Sequence, residues 1–153
     1  QLQSVFDRGN YDPTNEPNIA YPYLFSYFKG EEWRTQELTH KLLKAYFKNN
    51  PEGLPGNDDT GTMSAWAIFS MIGFYPDCPG EPAYTLTSPV FDKITLHLDP
   101  KQWGKDKLVI ETKRSNPNAV RIEKMEVDGK PWHNYRISHS DLVKAGVLKF
   151  TLK

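Results

Sequence analysis

Up to about residue 75 the apolar residues recur at helical spacing; from about residue 83 they alternate with polar ones. In the first half, a stretch opened by Gly30-Glu31-Glu32 and closed by Asn49-Asn50-Pro51 predicts a helix. Its acids sit at the start and Lys41, Lys44 and Lys48 towards the end, as a helix dipole favours, with Leu38, Leu42, Ala45 and Tyr46 as the inward stripe. Tyr21 to Phe28 predicts a shorter aromatic helix with Pro22 in its first turn. Met63, Trp66, Ala67, Ser70 and Met71 recur at three and four before Gly73, which predicts a third helix, apolar around its girth and therefore buried.

In the second half Ile94, Leu96 and Leu98 alternate with Thr95, His97 and Asp99, and Leu108 to Thr112 makes another run. Val120 to Val127 alternates into Asp128-Gly129, a hairpin turn signal, and Val147 to Leu152 closes the chain as a strand. Ser138-His139-Ser140-Asp141 before Leu142-Val143 predicts one short helix with a Ser cap, stopped by Gly146. Between the halves lies a Pro- and Gly-rich linker, residues 75–82. The expected class is α+β, with a helical unit over 1–82 and a β-rich unit over 83–153.

Composition narrows the functional classes. Nineteen Lys+Arg balance nineteen Asp+Glu, so nothing in the bulk charge favours nucleic acid or an anionic membrane as partner. No apolar run approaches the ~20 residues of a membrane span. The single cysteine, Cys78, excludes an internal disulfide framework and a multi-thiolate metal site, and no base lies near it in sequence to make it a nucleophile. The four histidines (His40, His97, His133, His139) show no metal-ligand spacing. Gln1-Leu2-Gln3-Ser4 carries neither an initiator Met nor an export signal, so a processed or cut piece of something longer is expected.

Two loops concentrate candidate chemistry. In residues 53–61 the adjacent carboxylates Asp58 and Asp59 stand before the helix of Trp66, with Gly53, Gly56 and Gly61 around them. Acids there cap a helix and suit its positive end. A carboxylate in the same place can also act as a general base towards water. Sequence physics leaves both readings open. In residues 11–18, Asp12, Asn15 and Glu16 are oxygen donors of the kind a hard cation takes, and equally the makings of a turn and cap ahead of Pro17. Of the aromatics, Trp33, Tyr21, Tyr23, Phe25 and Trp66 suit a core, and one or two near the loops suit stacking on a sugar ring.

The run from Leu54 to Trp66 (Leu-Pro-Gly-Asn-Asp-Asp-Thr-Gly-Thr-Met-Ser-Ala-Trp), then Ile72-Gly73-Phe74-Tyr75-Pro76 and Cys78-Pro79-Gly80, resembles the signature of glycoside hydrolase family 92. These are calcium-dependent, exo-acting α-mannosidases. Asn15-Glu16-Pro17, Pro22 to Phe25, Trp33 to Gln36 and Ser88 to Lys93 fit the same family in the same order, so the likeness covers essentially the whole chain. It implies that the chain is the C-terminal piece of a much longer enzyme: the last helices of an (α/α)6 barrel, then an antiparallel, sandwich-like β part.

The resemblance further implies an inverting hydrolysis of terminal α-linked mannose in glycans such as N-glycans. The base falls on Asp59, with Asn57 and Asp58 in supporting positions, and Asn15 and Glu16 as ligands of a Ca2+ ion. After that motif the family often places Asp and then His or Gln, where this chain has Ala20. The catalytic acid lies outside the chain, so the piece alone is expected to be inactive. The implied partners are a mannose-containing glycan and the remainder of the enzyme, and the implied location is periplasmic, cell-surface or secreted. Cut from its barrel, the piece is expected to expose apolar faces around Met63, Trp66 and Phe69 and to repack or self-associate. The competing reading is a non-catalytic carbohydrate-binding or structural module whose aromatic platform would be Trp103 or Trp132.

Overall fold

The computed structural model describes all residues, 1–153. A short helix α1 (Leu2–Asp7) leads into two stretches of 3-10 helix, Glu16–Asn18 and Tyr21–Tyr27, followed by α2 (Glu32–Tyr46) and α3 (Thr62–Ile72). The β half then runs β1 (Phe74–Tyr75), β2 (Ala83–Leu86), β3 (Lys93–His97), α4 (Pro100–Trp103), β4 (Lys107–Arg114), β5 (Ile122–Val127), β6 (Lys130–Trp132), β7 (Arg136–Ser138), α5 (His139–Lys144) and β8 (Val147–Leu152). The class is α+β.

The helical half is built on aromatic packing. Tyr21–Tyr27 winds as 3-10 rather than α-helix; Pro22 enters without an N–H, and Tyr23 is driven fully into the core. The Tyr23 ring stacks on Tyr75 at 4.7 Å and meets Trp66 edge-on at 6.4 Å, while its hydroxyl shares a 2.6 Å hydrogen bond with Ser70 Oγ. Buried in water-free surroundings, a phenol must find such a partner.

On α2 the inward face differs from the expected stripe. Thr35, Gln36, Thr39, Leu42 and Leu43 are buried, whereas Ala45 and Tyr46 face solvent. The reason is that the polar groups on this face, Gln36 Nε2 excepted, find partners inside the fold. Thr39 Oγ1 donates to the Thr35 carbonyl at 2.9 Å and meets Thr87 Oγ1 at 3.3 Å; Gln36 Oε1 accepts from the Ile122 N–H at 2.7 Å. A hydrogen-bonded Thr packs as well as an apolar residue, and a search for apolar periodicity passes over it.

Helix α3 sits between two left-handed glycines, Gly61 (φ 92°) and Gly73 (φ 102°). Gly73 is required twice over, because a Cβ there would also lie 2.7 Å from Pro89 Cγ. Met63 and Trp66 are 1% and 2% exposed, so the chain covers them with its own residues, against the expectation that a cut would lay them bare. The girth is not wholly covered, however: Ile68 is 55% exposed and Ala65 also faces outward.

The strands form two sheets, one of order β1-β2-β7 and one of order β3-β4-β8-β5-β6. All pairings are antiparallel except β4 with β8, which run parallel from Val109↔Val147 to Arg114↔Leu152. The second sheet is therefore mixed, where the sequence reading expected antiparallel. The cause is α5, which carries the chain from one sheet to the other and lets β8 slot between β4 and β5. Ser138 caps α5, its Oγ accepting from the Asp141 N–H at 3.0 Å. The helix stops at Ala145, one residue before the expected Gly146. Asp128 and Gly129, both at positive φ, make the β5–β6 turn that their pairing in sequence predicts.

Candidate active site

The loop 53–61 ends in a left-handed turn. Asp59 (φ 48°), Thr60 (φ 60°) and Gly61 (φ 92°) follow one another in that region, and only the glycine is at ease there. The two neighbouring carboxylates divide their tasks. Asp58 Oδ1 accepts from both the N–H (2.9 Å) and the Oγ (2.8 Å) of Ser64 in the first turn of α3, and the Asp58 carbonyl accepts the Met63 N–H at 3.1 Å. This is the capping role, performed from three residues upstream of the position where a cap normally sits.

Asp59 supplies only its main chain to the helix. Its carbonyl accepts from Thr62 Oγ1 at 2.8 Å and from the Thr62 N–H at 3.3 Å. Its half-buried carboxylate takes part in no intramolecular hydrogen bond or ion pair, so it stands at a helix mouth with its oxygens uncommitted. Asn57 beside it is exposed. Of the two acids, Asp58 therefore serves the helix through its side chain and Asp59 through its main chain alone.

The loop 11–18 lies against this turn. A Cβ on Gly56 would come 2.8 Å from Thr14 Cβ, which measures how closely the two loops approach. A second tie runs from Trp66 Nε1 of α3 to the Ile19 carbonyl at 3.0 Å. Within the loop, Asp12 Oδ1 accepts from the N–H (2.9 Å) and Oγ1 (2.7 Å) of Thr14, and these bonds hold its carboxyl below the usual range. Asp12 is therefore a turn former. Asn15 and Glu16 are exposed, and Asn15 precedes the 3-10 turn without capping it through its side chain. Glu16 acts electrostatically on Tyr75, whose hydroxyl is pushed up to about 12 by burial first, then by the charges of Glu16 and Asp77.

An amide and a carboxylate oxygen are apt donors for calcium, which takes six to eight oxygens in all. Asn15 and Glu16 fit as two of them. No group of three or more His, Cys, Asp or Glu side chains in the chain is placed to hold a metal ion. The histidines are dispersed: His40 bonds the Ser88 carbonyl at 2.9 Å, His139 meets Tyr84 Oη at 2.9 Å, and His97 and His133 are exposed. Cys78 is a free thiol raised by desolvation and by its hydrogen bond to Glu81, the opposite of an activated nucleophile.

The sequence reading passed over Thr62 and Ser64. The signal available was a hydroxyl residue in the first helical turn at three and six residues beyond an acid. Neither tryptophan of the competing reading is an exposed ring. Trp103 is half-buried with its ring edge-on to His139 at 5.4 Å, and Trp132 is packed against the β core with its Nε1 buried. An apolar groove near the turn, about 300 Å3, runs along Phe47, Leu54, Ile68 and Met71 and includes Ser64 but not Asp59. No helix is long and apolar enough to cross a membrane.

Comparison with known proteins places this geometry. Residues 1–153 match the model of the glycosyl hydrolase family 92 catalytic domain. A family GH92 α-mannosidase of Bacteroides thetaiotaomicron superposes with a TM-score of 0.89 at 28% identity, over 99% of this chain and 21% of that one. The same enzyme in complex with mannoimidazole gives 0.84 at 29% identity, over 94% of this chain and 18% of that one. A family GH92 inverting mannosidase of the same organism gives 0.82 at 30% identity, over 99% and 20%. A protein of Arthroderma benhamiae named as an uncharacterized secreted glycosidase is 27% identical over 140 residues, which is 90% of this chain and 18% of that protein. The chain thus spans about a fifth of the length of these relatives. With the motif-bearing loops brought together and the whole length matched, the chain belongs to glycosyl hydrolase family 92.

Proposed function

We propose that the chain is part of an inverting, calcium-dependent exo-α-mannosidase that removes terminal α-linked mannose from glycans such as N-glycans, and that it supplies the general base. The supporting observation is the Asp58–Asp59 division: one carboxylate caps α3, and the other is displayed from a left-handed turn with no intramolecular partner. In this reading Asp59 takes the proton from a water that attacks the sugar on the face opposite the leaving group. Asp58 fixes the turn, and Asn57 helps to hold the water. Asn15 and Glu16 hold part of a calcium site, and Ala20 contributes no side-chain ligand. Calcium, when bound, would grip vicinal sugar hydroxyls and favour a distorted ring.

The acid that protonates the glycosidic oxygen belongs to the remainder of the enzyme, so the 153 residues alone are inactive. Residues 1–82 then belong to the closing helices of an (α/α)6 barrel and 83–153 to a β-rich unit behind them. A relative named as a secreted glycosidase supports a periplasmic, cell-surface or secreted setting.

The deciding experiment is Asp59→Asn in the complete enzyme. Turnover of an aryl α-mannoside should fall by roughly 10²–10⁴-fold, the usual worth of a general base, with the fold retained by circular dichroism. Activity within tenfold of the parent would overturn the assignment. Incubation with a chelator should abolish activity and added calcium restore it; an enzyme indifferent to both would remove the metal from the scheme.

A further inference from the structure

We infer that the hydroxyls of Thr62 and Ser64 are positioning groups for the Asp59 carboxylate; this deepens the reading of Asp59 as base and rests on it. The turn that displays Asp59 is unfavourable by itself. Two non-glycine residues in succession, one of them the β-branched Thr60, adopt positive φ. Each costs about 1–2 kcal/mol relative to ordinary backbone. Such a turn persists only where its flanks over-determine it.

Beside the main-chain bond from the Met63 N–H to the Asp58 carbonyl, the flanks do so through two side-chain ties, one on either side of the Asp59 Cα. Upstream, Ser64 grips the Asp58 carboxylate with both its N–H and its Oγ, at 2.9 and 2.8 Å. Downstream, Thr62 Oγ1 holds the Asp59 carbonyl at 2.8 Å, closer than the backbone N–H of the same residue at 3.3 Å. Both hydroxyls stand on the first turn of α3, and that turn is anchored by Met63 and Trp66 in the core.

The consequence is specific. Because the Asp59 carboxylate has no hydrogen bond of its own, only its backbone fixes the point from which it projects, and Thr62 and Ser64 hold that backbone on either side. Neither residue has to touch the sugar to matter. Freeing the turn would let the carboxylate wander by an ångström, and a misplacement of that size costs on the order of 10²-fold in rate.

The test uses a complete family 92 enzyme carrying this segment, in the variants Thr62→Val, Ser64→Ala, Thr62→Ser and Ser64→Thr, with Asp59→Asn alongside. For each, kcat and KM on an aryl α-mannoside are measured together with the folded fraction from thermal unfolding. Thr62→Val and Ser64→Ala should each lower kcat per folded molecule by about tenfold or more with KM within about twofold. Thr62→Ser and Ser64→Thr, which keep the hydroxyl, should recover most of the loss. If Asp59→Asn is inactive while Thr62→Val and Ser64→Ala turn over at the parental rate, the positioning inference fails and the base assignment stands. A loss that merely tracks the folded fraction, or that the hydroxyl-keeping variants do not recover, also overturns it. If Asp59→Asn is active, the base assignment fails and the inference falls with it.

Discussion

Replacing Asp58 by Ala removes both bonds that Ser64 makes to its carboxylate and leaves the Ser64 N–H in the first turn of α3 without its cap. The loss should be about 1–2 kcal/mol, read as a lower denaturation midpoint in urea. Two residues on, the sign reverses. Thr60 is β-branched at φ 60°, so Thr60→Gly relieves about 1–2 kcal/mol of backbone strain while adding roughly 0.5–1 kcal/mol of unfolded-state entropy. A net gain of up to about 1 kcal/mol is expected; a destabilised Thr60→Gly would show that the turn is not strained. At this scale the sequence was partly legible. The acids and the glycines around them pointed to a loop that either caps or reacts. What it could not show is which acid caps the helix, because that depends on a left-handed turn, and a β-branched Thr is a poor advertisement for positive φ.

At the scale of the element, α2 carries a buried face that is polar at its middle, and His40 lies at its edge. The His40 ring bonds the Ser88 carbonyl at 2.9 Å, joining α2 to the segment between β2 and β3. Burial chiefly, and the nearby Arg114 guanidinium, hold its pKa below the ordinary histidine value despite that bond. The folded form therefore takes up a proton less readily than the unfolded chain. The stability from this site is present above about pH 6.5, the unfolded value, and declines as pH falls below it. Urea midpoints measured at pH 7.5 and 5.5 should fall for the parent, and the drop should shrink in His40→Gln. An unchanged drop would assign the acid sensitivity elsewhere. The position of α2 itself was readable from its end residues and charge gradient. Its inward face was not, because the hydroxyl of Thr39 and the Oε1 of Gln36 find partners as remote as Thr87 and Ile122, and no local pattern announces them. Likewise β8 read correctly as a strand, yet its parallel pairing with β4 follows from the α5 connection and not from its own alternation.

At the scale of the whole molecule, the two motif-bearing loops come from segments some forty residues apart and meet at one tight contact, Gly56 on Thr14. Sequence order could not reveal that meeting; it arises because α3 buries Trp66 beneath Ile19 and draws the loops together. The contact is a test of whether base and metal ligands work as one site. Adding a single methyl in Gly56→Ala puts a carbon 2.8 Å from Thr14 Cβ, so one loop must give way. Overpacking of this kind costs about 1–3 kcal/mol, enough to shift the loops while leaving the cores of either half intact. In the complete enzyme, Gly56→Ala should weaken calcium affinity, measured by the concentration that restores activity after chelation, and lower kcat in the same variant. Adding Thr14→Gly removes the opposing Cβ and should recover part of both losses together. If the double variant recovers neither, the loss does not run through this contact; if Gly56→Ala alters turnover and leaves the calcium requirement untouched, the loops carry separate functions and Asn15 and Glu16 are not ligands of the ion that serves Asp59.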